Sequence, residues 1–167
     1  MLVALDAPGA KTATPGAILT VTGNTLIAKV GGASGPLYGT AFRRAGKALG
    51  DAADVDLPAL AAALDAALAG VQQLGAAREG DKTMVDALAP ATRAFSKAIA
   101  DRAAPDDALS VLAEAATAGA AATVSMQALK GRASYLGPRS VGHEDPGAVS
   151  TALILGALRD AARAAGQ

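Results

Sequence analysis

The chain has 167 residues, of which 51% are hydrophobic, and its 15 Lys and Arg balance its 15 Asp and Glu. This size and composition predict one globular domain with a substantial core, and they favour a globular chain over a disordered one. A neutral balance without a basic block offers no broad surface for nucleic acid or an anionic membrane. The absence of cysteine excludes disulfides and thiolate metal sites and fits a cytoplasmic location.

Aromatic residues make up only 2% of the chain, so the core must be built from Ala, Leu, Val and Ile on closely approaching helices. The predicted elements are six helices at about 16–30, 34–48, 57–75, 81–103, 106–129 and from 146 onward. Thr14 and Asp145 directly precede a proline, Asp56 lies two residues before one, and all three are predicted N-caps. A buried strand is the alternative for the β-branched first segment. Pro90 is expected to kink or split the fourth helix.

The apolar windows are too short to predict a membrane span. The fold class is all-α, most simply an antiparallel bundle or barrel in a single domain, 1–167.

The residues with candidate chemical roles lie in three glycine-containing junctions between helices: 31–40, 75–84 and 131–147. At the first junction, small residues allow close approach of a ligand, and a helix beginning at Ser34 directs N–H groups toward a phosphate. A tight helix–helix turn explains the first junction equally well. At the second, Asp81 is a candidate helix cap, and a solvated Lys82 is favoured over a ligand contact. Met84 is either a core residue or an apolar wall for a flat ring such as adenine.

The third junction concentrates charged residues in a long loop, which favours a functional site. Arg132 and Arg139 suit bidentate contacts with phosphate. Asp145 caps a helix whose N-terminus opens onto the same loop. His143 is a candidate general acid or base, although a lone histidine in a loop is more often a structural hydrogen-bonding residue.

Together the strings GGASGPLYGT, GDKTM and KGRASYLGPRSVGHEDPGA resemble one family. They look like the nucleotide-binding subunit of dihydroxyacetone kinases that depend on the phosphotransferase system. The resemblance runs in order along nearly the whole chain, from about Thr14 to the last helix. It implies an antiparallel barrel of eight helices with ADP or ATP held at one end through Mg²⁺.

The resemblance also implies a reaction and a set of contacts. A phosphohistidine protein of the phosphotransferase system recharges the bound ADP. The phosphoryl group then passes to dihydroxyacetone on a partner subunit and gives glycerone phosphate. The positions that match nucleotide contacts are Ala33, Ser34, Gly75, Met84, Arg132, Asp145, Pro146 and Gly147, and Arg132 is also the candidate catalytic residue.

One feature of the family has no counterpart in this sequence. The family's acidic loop, Gly-Asp-x-Asp-x-Gly with a further Asp upstream, holds the magnesium and precedes the helix that corresponds to 15–30. The sequence therefore predicts an N-terminally truncated form that lacks the first helix or helices and all metal ligands. An ATP-dependent dihydroxyacetone kinase domain and a catalytically impaired binding or regulatory module remain alternatives. A homodimer remains open, whereas nucleic acid and membrane are not expected partners.

Overall fold

The structure is a computed structural model that describes residues 13–165. Its α-helices are α1 Pro15–Lys29, α2 Ser34–Leu49, α3 Leu57–Gly75, α4 Val85–Ala100, α5 Pro105–Ala122 and α6 Pro146–Ala165. Two 3-10 segments, Thr123–Ser125 and Arg132–Ser140, lie between α5 and α6. Residues 13–165 contain no strand, so the all-α class is confirmed, and the first segment is a helix rather than the alternative strand.

The described chain divides into two compact units, with the boundary between Ala76 and Ala77. In the first unit, α1 packs against α2, and α2 packs against α3. A Cβ atom built on Gly16 would overlap the carbonyl oxygen of Gly50 and would lie 2.8 Å from that of Gly46. The two helices therefore approach so closely at this point that only glycine fits.

In the second unit, α5 packs against both α4 and α6, and α4 also contacts α6. Ala87, Ala120 and Ala148, one from each helix, form a buried cluster in which small side chains let the three backbones approach. Phe95 and Leu112 are fully buried in the same unit. Here the alanine-rich composition gives the closely packed helices that the low aromatic content predicts.

The predicted caps are confirmed at three helix starts. Thr14 Oγ1 accepts a hydrogen bond of 3.3 Å from the amide three residues later, at the beginning of α1. Asp56 Oδ1 and Asp145 Oδ2 make the same contact at 2.8 Å and 2.7 Å, at the beginnings of α3 and α6. Each carboxylate or hydroxyl satisfies a backbone donor that the helix itself leaves without a partner.

Two predicted boundaries are wrong. The helix expected from Asp81 begins at Val85, because Lys82 adopts a left-handed backbone conformation (φ 60°) that no α-helix accommodates. The helix expected to reach Leu129 ends at Ala122, and after one 3-10 turn the backbone becomes extended at Met126. Pro90 lies inside α4 without splitting it.

Two helical stretches, Leu57–Gly75 and Pro105–Ser125, are long and apolar enough to cross a membrane by length and composition alone. Each buries one face in its own unit, with residues such as Leu64 and Val71 in the first and Leu109 and Leu112 in the second. Core helices of soluble proteins pass the same test, so this is weak evidence for a membrane span.

Candidate functional site

The first unit carries three of the residues predicted to contact nucleotide. Ser34 begins α2 as predicted, and both Ser34 and the preceding Ala33 are exposed. The N-cap residue of α2 is Ala33, which has no side-chain acceptor, so no side chain caps this helix start. Gly75 is the last residue of α3, and Ala76 follows in a left-handed conformation. The contacts of Ala33, Ser34 and Gly75 with a nucleotide stay predictions.

The second unit brings together three of the other predicted residues, Met84, Asp145 and Gly147. A Cβ atom built on Gly147 would lie 2.9 Å from Asp145 Oδ2, 3.3 Å from Met84 N and 3.4 Å from Met84 Cβ. Met84 immediately precedes α4, and Gly147 is the second residue of α6. The N-termini of two helices therefore meet at this point, and a side chain larger than that of glycine would crowd the contact.

Asp145 lies in this contact as a half-buried carboxylate. Burial raises its pKa above the ordinary value, and the negative charge of Asp86 acts in the same direction. The hydrogen bond from the amide of Ala148 and the charge of Lys82 oppose that shift. The direction follows from the loss of water around the carboxylate, which disfavours its charged form.

The turn that leads into α4 is held by Asp86, a residue that the sequence reasoning did not single out. Its two carboxylate oxygens accept hydrogen bonds from Gly80 N at 2.6 Å and from Thr83 N at 2.7 Å. Asp81, the predicted cap, instead accepts from Arg78 N at 3.0 Å, so that prediction is wrong. An acidic residue in the first turn of a helix was the available signal for Asp86.

Lys82 was predicted to be solvated, and this is also wrong. Its side chain is buried, with 3% of the residue exposed. The ammonium group donates hydrogen bonds to Met126 O at 3.0 Å and to Ser140 O at 2.5 Å. Hydrogen bonding of this kind is what makes burial of a charged group tolerable.

The long loop between α5 and α6 is fixed at several points by its own polar atoms. Thr123 Oγ1 accepts from Asp145 N at 2.8 Å, and Val124 O accepts from the amide of Gly142 at 2.7 Å. Ser140 Oγ accepts from the amide of Ala128 at 2.9 Å. These bonds connect the two ends of the loop, so its backbone forms an ordered platform despite its length.

The cationic side chains of this loop point outward. Arg132 begins the second 3-10 segment, directly after Gly131 at φ 68°. Arg132, Arg139 and His143 are all exposed, and none of them forms an ion pair with a carboxylate of residues 13–165. A guanidinium group on an ordered loop, without a protein counter-ion, is available to a phosphate or another anion.

No group of three or more His, Asp and Glu side chains within residues 13–165 is placed to share a metal ion. The family's acidic loop would precede α1, and residues 1–12, which lie outside the described residues, contain a single acidic residue, Asp6. The predicted absence of metal ligands therefore stays a prediction.

Comparison with known proteins identifies the family. The family model of the DAK2 domain matches residues 2–160. The ADP-binding subunit DhaL of PEP-dependent dihydroxyacetone kinase 1 from Listeria innocua is 41% identical over 141 residues, which are 84% of this chain and 65% of that protein. The corresponding subunit from Escherichia coli is 42% identical over 89% of this chain and 70% of its own length.

A solved structure gives the same result. The dihydroxyacetone kinase of C. freundii has a TM-score of 0.65 and 30% identity, and the match covers 89% of this chain and 24% of that one. The chain thus spans 65–70% of the two DhaL subunits and about a quarter of the kinase. A match over nearly the entire sequence, supported by the helical fold, shows that the chain belongs to the DAK2 domain family.

Proposed function

We propose that this chain is the nucleotide-binding phosphotransfer subunit of a PEP-dependent dihydroxyacetone kinase, with residues 1–167 forming one nucleotide-binding domain. The observation that carries the proposal is the contact of Met84, Asp145 and Gly147 beside a loop whose Arg132 has no protein counter-ion. The relatives that this chain covers by about two thirds are ADP-binding subunits by name. The family model includes both compact units in one match.

The residues of the second unit divide into two roles in this proposal. Arg132 pairs with the phosphate groups, where an always-charged planar guanidinium stabilises the charge that develops during phosphoryl transfer. Pro146 and Gly147 offer a small apolar surface to the adenosine part, and Met84, of which 5% is exposed, supports that surface from the core. The bound nucleotide supplies the phosphoryl group. Residues 13–165 offer no set of carboxylates that fits Mg²⁺, so no magnesium ligand is assigned to them.

The proposed partners follow from the interpretation of this chain as a kinase subunit. The phosphoryl donor is a phosphohistidine protein of the phosphotransferase system, and the acceptor is dihydroxyacetone held on a separate kinase subunit in the cytoplasm. A fused ATP-dependent kinase is less well supported, because the chain covers only 24–27% of the single-chain kinases and triokinases that it resembles.

The first experiment is calorimetry of this chain with ADP, in the presence and absence of Mg²⁺. Replacement of Arg132 by Ala removes a charge-assisted contact, worth about 1.5–3 kcal/mol, and is expected to weaken ADP binding about 10- to 100-fold. Arg102→Ala is the matched control, because Arg102 is exposed and lies between α4 and α5. That variant should keep wild-type affinity.

A transfer assay then separates the candidate functions. Phosphoenolpyruvate, the phosphotransferase proteins and the dihydroxyacetone-binding subunit should together produce glycerone phosphate only when this chain is added. Production from free ATP without phosphoenolpyruvate would instead favour the ATP-dependent kinase. Absence of ADP binding with and without Mg²⁺ would reject the proposal and leave the regulatory module.

A further inference from the structure

Lys82 lies where three parts of the second unit meet. It belongs to the turn at 80–86, and its ammonium group reaches two carbonyl oxygens that lie 44 and 58 residues further along the chain. One of these, Met126 O, lies at the beginning of the long loop. The other, Ser140 O, is at the end of the second 3-10 segment. One side chain therefore joins both ends of the segment that carries Arg132 to the entrance of α4.

These two bonds attach the loop to the turn at 80–86. Most of its other polar contacts, such as Ser140 Oγ with Ala128 N, stay within the loop and fix only its internal shape. A backbone bond from Leu129 N to Asp81 O, at 3.0 Å, is a neighbouring connection to the same turn. Removal of the ammonium group would leave two carbonyl oxygens without this donor: that of Ser140 at a buried position and that of Met126 at a partly buried one.

The backbone of Lys82 supports the same conclusion. Its φ of 60° is a conformation that residues with a side chain rarely adopt. The side chain is buried and hydrogen bonded to both ends of the loop, so the strained turn and the loop hold each other in place. The exposed Arg102 also has a φ of 60°, so the feature that sets Lys82 apart is its buried side chain with two hydrogen bonds.

We propose that Lys82 is a positioning residue: its buried ammonium group fastens residues 126–140 to the turn at 80–86 and thereby sets the position of Arg132 relative to Met84. The part of this inference that concerns ligand affinity rests on the proposed nucleotide-binding function. The part that concerns the loop does not, since it is measured without any ligand.

The test is Lys82→Met, which keeps the length of the side chain and removes its donors. In hydrogen–deuterium exchange of the ligand-free protein, peptides covering 127–142 should exchange at least about tenfold faster, because two charged hydrogen bonds are lost. Peptides from the middle of α4 and α5 should keep their protection. The dissociation constant for ADP should rise by about tenfold, since the loop must be ordered again on binding.

Two further variants separate positioning from general stability. Lys97→Met makes the same chemical change at an exposed lysine of α4 and should leave both measurements unchanged. Phe95→Leu trims a fully buried side chain of the same unit. It should lower the melting temperature without selective exchange in 127–142. Lys82→Arg, which keeps a cationic donor, should stay within about threefold of the wild type in loop exchange.

Unchanged exchange in 127–142 for Lys82→Met would overturn the proposal. So would a Lys82→Met chain that does not fold or that loses protection everywhere, since Lys82 would then act as a general stability element. Faster loop exchange in a chain whose wild type binds no ADP would support the positioning role of Lys82 while rejecting the proposed function. Equal ADP affinities of the wild type and Lys82→Met, together with unchanged loop exchange, would support the proposed function and reject the positioning role of Lys82.

Discussion

Replacement of Asp145 tests the electrostatics of the candidate site most directly, because one carboxylate both caps α6 and lies against Gly147. Asp145 Oδ2 accepts a 2.7 Å hydrogen bond from the amide of Ala148, a residue that is fully buried. Asp145→Ala leaves this donor without a partner in the protein interior. Asp145→Asn keeps a side-chain oxygen at the same place and removes only the charge.

The magnitudes follow from these two differences. Loss of the cap in Asp145→Ala should lower the free energy of unfolding by about 1–2 kcal/mol. In a chain of this size, that change lowers the melting temperature by about 2–8 °C. Asp145→Asn should stay within about 0.5 kcal/mol of the wild type at neutral pH, because an amide oxygen also caps a helix and the buried charge is relieved.

The pH dependence has a defined sign. Burial raises the pKa of Asp145 in the folded state, so this group favours folding when it is protonated, below its ordinary value of 3.8. That contribution is lost as the pH rises from this value through the raised pKa. The stability of the wild type minus that of Asp145→Asn should therefore fall with increasing pH in this window and then level off.

Urea unfolding followed by circular dichroism, at a series of pH values from about 4 to 7, measures both effects. Glu79, whose pKa is lowered mainly by its hydrogen bond with Arg93, titrates equally in both proteins and cancels from the difference. The reasoning would be refuted if Asp145→Asn lost as much stability as Asp145→Ala. A difference curve that rises with pH would refute the assigned direction of the pKa shift.

The remaining predictions concern close contacts of glycine. Gly147→Ala should lower stability by about 1 kcal/mol and weaken ADP binding, since the new methyl group crowds Asp145 Oδ2 and the backbone of Met84. Gly156→Ala, with nothing within 4 Å, should instead stabilise α6 by about 0.5–1 kcal/mol. Gly16→Ala should lower stability by about 1–3 kcal/mol, because its methyl group would overlap the carbonyl of Gly50. Equal melting temperatures for the three variants would contradict the packing described.

The helix starts could be predicted from the sequence because their causes are local. The cap at Asp56 requires only a carboxylate, a following proline-containing turn and an amide three residues later. The same holds for Thr14 and Asp145. The start of α2 at Ser34 was also predictable, from small residues and a proline, although no side chain caps it.

The entrance of α4 could not be predicted, because its causes are distant in sequence. Lys82 is buried by carbonyl groups 44 and 58 residues away, and no local pattern distinguishes such a lysine from a solvated one. The choice of Asp86 over Asp81 as the residue that binds the turn depends on the left-handed backbone at Lys82. The loop at 131–147 was recognised by its composition, yet its 3-10 geometry and its attachments depend on these same contacts.

The contact of the two helix N-termini also limits which chemistry each of its residues can perform. The amide of Ala148 already donates to Asp145, and the amides of Thr83 and Val85 donate to the side chains of Asp86 and Thr83. A phosphate at this point would have to displace these acceptors and approach a carboxylate whose charge is already disfavoured by burial. We therefore infer that phosphate binding in the second unit falls to the exposed guanidinium of Arg132, while Asp145 suits a hydroxyl donor. Arg132→Ala should accordingly reduce the affinity for ADP much more than the affinity for adenosine, and Asp145→Asn should affect the two equally.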